Sequence, residues 1–243
     1  MLLASLSGVT ALYAGPITVP AGLTPGEQYR LIFVTDDSYT ATSSDIADYN
    51  FDVNTEADSV AALAALSTTW LDIGSTATVN AIDNIGIDAG VPIYDLNGDL
   101  IASDAGTGSG GLFSGGELMD GLGYDETGTL IPGSVSVWTG TYINGTPDDH
   151  NPLGTAGTVT AGSTGTTSGF WIAHHEQDPS TENRLYAISE TLTVPTPEPG
   201  SVALISLAGA ALMLFRRYSR PNAVPVPATA RTSASIAAPQ SET

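Results

Sequence analysis

The spacing of hydrophobic and polar positions changes several times along the chain, and each change marks an element. Residues 2–14, LLASLSGVTALYA, form an apolar stretch ending on a small residue before Gly15 and Pro16. This suits the later part of a secretory signal without its positive opening, or else a first core strand. Residues 29–34, YRLIFV, read as a buried strand. Ile46, Tyr49, Val53, Ala57 and Val60 then recur at helical steps, which predicts an amphipathic helix with Ser43 or Ser44 as N-cap and Asp45 favouring the first turn. AALAAL extends the helical material towards Trp70, and a second short helix is expected over 71–80. From Gly90 the pattern shifts to short strands and glycine-rich loops. VPIYDLNGDLIAS (91–103) predicts a hairpin about Asn97-Gly98, because that dipeptide suits turn residues needing positive φ. VSVWTGT (135–141), GFWIAH (169–174) and LYAISETLTV (185–194) read as strands, with GTAGTVTAGSTGTTSG (154–169) as loop. Helix first and irregular strands afterwards predict one α+β domain over 15–194.

The pattern changes again near the end. Residues 201–215 contain no charge and no polar stripe, so a core helix is not expected there. A helix over 200–218 rises roughly 28 Å, just enough to cross a bilayer core of ~30 Å with Arg216 and Arg217 snorkelling. A C-terminal transmembrane helix is therefore expected, with Arg216, Arg217 and Arg220 on the cytoplasmic side and the body outside. Residues 221–243 are rich in Pro, Ala, Ser and Thr and are expected to be disordered.

Charge narrows the partners. Residues 1–195 hold 24 Asp and Glu against two basic residues, Arg30 and Arg184, a net charge of −22. A body this acidic repels phosphate backbones and has no basic stripe, which excludes nucleic-acid binding. The chain has no cysteine and no lysine. Disulfides, thiolate chemistry and lysine Schiff bases are thereby excluded.

The candidate chemistry is sparse. Asp95, Asn97 and Asp99 have the spacing of the first ligands of a calcium loop, but Leu100 and Gly106 stand where that loop needs Gly and an acid. They remain weak calcium candidates beside a plain hairpin turn. Asp148, Asp149 and His150 form a second weak metal candidate, joined by His174 or His175 if the fold brings the two segments together. On one strand His174 and His175 would point to opposite faces. There is no G-x-S-x-G elbow, and no catalytic constellation stands out, so a non-catalytic body is expected.

Two resemblances add to this. VPIYDLNGDLIAS, LFSG (112–115), YDETGTLIPGS (124–134) and VSVWTGTYINGT (135–146), in that order, resemble the central part of endostatin-like domains. That likeness implies a C-type-lectin-like fold with an early helix, an irregular antiparallel sheet and paired first and last strands. The chain lacks those domains' cysteine pairs and basic face, and EQDPSTEN (176–183) only echoes a lectin calcium motif, so no ligand carries over. Pro197, Glu198 and Pro199 stand directly before the apolar run, with the arginine cluster directly after it. This resembles the PEP-CTERM sorting signal, also known as the ice-binding protein C-terminal motif. It implies cleavage by an exosortase-type membrane enzyme and delivery to the cell surface or an exopolysaccharide matrix. The 23 residues beyond Arg220 depart from that pattern. The expected role is a structural or binding component. The alternatives are a calcium- or carbohydrate-binding adhesin, an ice-binding protein and a polysaccharide hydrolase.

Overall fold

Strand β1, Gln28–Val34, lies inside the main sheet and is buried on both faces from Tyr29 onward, which is why residues 31–34 are a continuous apolar run. The computed structural model of the protein describes residues 15–115 and 117–196. Alternate residues of β1 feed two cores. Ile32 and Val34 join Ile93, Ile101, Trp171, Tyr186 and Ile188 on one side. Tyr29, Leu31 and Phe33 join the helical side with Tyr49, Val53, Ala57, Leu63 and Trp70.

Helix α1, Ile46–Ser59, buries Tyr49, Val53, Glu56 and Ala57, the predicted stripe with a carboxylate added. Asp45 is its N-cap, in place of Ser43 or Ser44, with its carboxylate accepting from Ala47 N at 3.0 Å. Val60 adopts extended backbone and separates α1 from the single turn α2, Ala61–Ala64. The expected helix over 71–80 is replaced by strand β2, Trp70–Asp72, and the short helix α3 follows at Ala81–Ile85. Burial decides this: Trp70 and Asp72 are both buried, and Trp70 packs edge-on to Phe33.

Beyond α3 come β3, Ile93–Asp95, and β4, Leu100–Ala102, joined by the predicted turn with Gly98 at φ 87°. Next are β5, Ser136–Trp138, β6, Val159–Ser163, and β7, His175–Gln177. The chain ends its described course with β8, Tyr186–Ser189, and β9, Leu192–Thr193. The main sheet runs β2-β8-β1-β3-β4, and β9 also pairs β1. It is mixed, which corrects the antiparallel sheet implied by the lectin-like resemblance. β1 and β3 are parallel, with Arg30 opposite Ile93, because the helical segment between them returns the chain to the same end. β9 pairs antiparallel with the start of β1, Gln28 opposite Thr193.

The second sheet, β5-β6-β7, carries two corrections of its own. The glycine-rich stretch expected to be loop contains β6, every residue of which is buried. GFWIAH is not a strand: Gly169–Trp171 form a 3-10 turn laid against β6. A Cβ on Gly162 would sit 1.9 Å from the Trp171 carbonyl oxygen, so small residues are what permit the approach. The low hydrophobicity of β6 reflects close packing and not exposure.

Among the described residues no helix is long and apolar enough to cross a membrane. The longest, α1, has 14 residues, about 21 Å of rise against a bilayer core of ~30 Å, and carries an acidic face. This corrects the expectation of a membrane-crossing helix in the fold. The run at 200–218 on which it rested lies outside the described residues. Residues 1–14, Pro197, Glu198, Pro199, Arg216, Arg217, Arg220 and the tail at 221–243 also lie outside them.

Candidate functional site

The first metal candidate is a braced turn. The Asp95 carboxylate accepts from Asn97 N at 3.0 Å and Asp99 N at 2.9 Å, while Asn97 Nδ2 donates to Asp99 Oδ2 at 2.7 Å. Burial pushes the Asp95 carboxyl up to about 6, against the lowering effect of those two N–H groups. The aspartate side chain therefore holds the hairpin shut from inside. The lectin-like echo is of the same kind: Asp178 accepts from Ser180 Oγ and Ser180 N, and these bonds hold its carboxyl below the usual range.

At the second candidate the three residues part company. Asp148 is buried, accepting from His150 N at 3.0 Å and Asn151 N at 3.1 Å through Oδ1 and from Thr160 Oγ1 at 2.8 Å through Oδ2. Asp149 and His150 are exposed. The fold does bring the two histidine-bearing segments together, but through Asp148. A cleft of about 160 Å³ is lined by Asp148, Thr160, Ala173, His174, His175 and Glu176. Among the described residues no group of three or more His, Asp and Glu is arranged to hold a metal ion.

The two adjacent histidines meet, against the expectation of opposite faces. Their Nδ1 atoms are 3.0 Å apart and the rings are nearly perpendicular, at 89°. The reason is local. β7 begins at His175, so strand alternation does not govern His174, whose backbone N donates to Ala161 O at 3.0 Å. His174 also packs against the exposed ring of Phe170, with centroids 5.0 Å apart.

His175 anchors a wider network. Its Nε2 lies 3.3 Å from Ser136 Oγ on β5 and in hydrogen-bond contact with Gln177 Nε2. Gln177 Nε2 also donates to Ser136 Oγ at 3.0 Å, and Gln177 Oε1 accepts from Asn183 Nδ2 at 3.2 Å. With Gln177 Oε1 accepting from Asn183, Gln177 Nε2 faces His175 Nε2 as a donor, the arrangement in which Nε2 accepts and the imidazole carries its proton on Nδ1. In that tautomer His175 Nδ1–H donates to His174 Nδ1. Burial, and next the neighbouring His174, hold the His175 imidazole below its ordinary value, so it is neutral near pH 7. Ser136, Gln177 and Asn183 were not legible as site residues, because they come from β5, β7 and the loop before β8.

Elsewhere, two buried carboxyls stand out. Glu126, 4% exposed, accepts from Asp36 N at 2.9 Å, and burial pushes it up to about 7. Asp72 is wholly buried, and neither of its oxygens has a hydrogen-bond partner. Comparison with known proteins finds no family model that matches the chain and no curated protein that matches it.

Proposed function

We propose that the chain is an exported protein whose acidic body is delivered to the cell surface or extracellular matrix by a PEP-CTERM-type sorting signal centred on Pro197, Glu198 and Pro199. The body serves there as a structural or binding component, and an exosortase-type enzyme is the processing partner. The observation that carries the reading is where the body ends. Its last backbone tie among the described residues is at Val194, whose N donates to Glu27 O and whose O accepts from Gly26 N, both at 2.9 Å. One compact unit ends at Thr196, directly before the Pro-Glu-Pro sequence. A cut at Glu198 therefore leaves every strand of the body intact. The surplus of acids also suits a protein kept dispersed outside the cell.

Intact mass of the protein recovered from its native cells tests this. A C-terminus near Glu198 is expected; a chain that always ends at Thr243 overturns the processing step.

A further inference from the structure

Ser136, His175, His174 and Gln177 stand in the mutual relation that acyl transfer requires: a hydroxyl on an imidazole, that imidazole oriented by a third group, and an amide donor beside the hydroxyl. We propose that Ser136 is a nucleophile for uncharged carboxylic esters, with His175 as its general base, His174 as the positioning residue and Gln177 as donor to the developing oxyanion. The inference goes beyond the sorting reading and is independent of it. It also gives the body an activity that its sequence did not suggest.

The protonation states derived above suit the step. His175 Nε2 is unprotonated, its single lone pair shared in the resting site between the Ser136 hydroxyl and the Gln177 amide, and its Nδ1–H is held by His174 Nδ1. Attack forms a bond from Ser136 Oγ to the ester carbonyl carbon, and the hydroxyl proton moves to His175 Nε2. Once protonated, Nε2 no longer accepts from Gln177, so that amide N–H is released as negative charge appears on the carbonyl oxygen. Collapse breaks the bond to the leaving alkoxide, which departs as an alcohol with the proton from His175. Water then attacks the acyl-serine with His175 again as base, releasing the carboxylic acid and restoring Ser136. Asn183 holds Gln177 in the orientation that aims its Nε2 at the reacting atoms.

The surroundings define the ester. The net charge of the body, −22, disfavours anionic substrates.

The test treats the full chain with phenylmethylsulfonyl fluoride, a neutral reagent for activated serines, and maps the product by mass spectrometry. One adduct on Ser136 is expected, and His175→Ala should slow its formation at least about tenfold, the low end of general-base effects. The rate in the unaltered chain should fall as pH drops through the His175 range, below the ordinary histidine value. The titratable group facing that ring is His174, beside it in sequence, and Ser136 from β5 and Gln177 from β7 complete its contacts. Hydrolysis of p-nitrophenyl acetate should fall at least about tenfold in Ser136→Ala, with its melting temperature unchanged. An adduct absent from Ser136, or spread equally over other serines, overturns the proposal. So does a rate as fast in folded His175→Ala. If that variant does not fold, the unaltered chain decides, and a Ser136 rate that is flat between pH 5 and pH 8 overturns it.

Discussion

Asp72 is wholly buried with both oxygens unpartnered, and burial, then the nearby Asp52, raise its carboxyl well above the usual range. An acid whose folded value is raised keeps its proton in the native state while the unfolded chain has already lost it. Stability is then full below the unfolded value near ~4 and falls as pH rises towards the folded one. Asp72→Asn is neutral at every pH. It should raise the melting temperature by a few degrees at pH 7.5 and leave it nearly unchanged at pH 4, as differential scanning calorimetry would show. Arg30 is the opposite case, a buried cation whose donors are spent on carbonyls. Its Nε donates to Ser189 O at 2.6 Å, Nη2 to Ile85 O at 2.9 Å and Nη1 to Gly86 O at 3.2 Å, tying the end of α3 to β8. Arg30→Met strands all three acceptors and should cost at least about 3 kcal/mol in urea unfolding. Neither role is visible in the linear sequence, where Arg30 is one charge in an apolar run and Asp72 one acid among many.

Helix α1 and strand β6 mark the two ends of what pattern can reveal about an element. The α1 stripe is periodic over four turns, and its core face follows from that spacing, although the cap is Asp45 and not a neighbouring serine. Asp45→Ala should cost about 1 kcal/mol of stability. β6 has little hydrophobic signal, because its identity depends on how near Trp171 comes to Gly162. Gly162→Ala must push the 3-10 turn away from β6 and should destabilise the protein by about 2 kcal/mol or more. The same change should loosen His174, whose backbone bonds to Ala161, and it should slow labelling of Ser136 more than its melting temperature alone explains. The hairpin at Asn97-Gly98 was legible because its constraint is local, a positive φ that glycine meets without strain.

For the body as a whole, raised carboxyls and self-repulsion act in the same direction. Asp95 at about 6 and Glu126 at about 7 add to Asp72, so protons are lost from the native state only at mildly acidic to neutral pH. The melting temperature should therefore decline from pH 5 to pH 8, opposite to a protein held together by paired carboxylates. At pH 8, raising salt from about 20 mM to about 0.2 M should recover part of the loss by screening surface repulsion. A flat profile would show that the buried carboxyls are relieved in the native state. The sequence by itself determined what depends on neighbours along the chain: the buried run of β1, the face of α1, the tight turn at Gly98, the acidic balance and the order of motifs around Pro197, Glu198 and Pro199. Only the tertiary structure decided what depends on distant segments meeting. It made β1 and β3 parallel, turned a glycine-rich stretch into a buried strand, placed Asp148 beside the histidines, and set Ser136 against His175. Those outcomes rest on close approach and burial, which spacing along a chain does not encode.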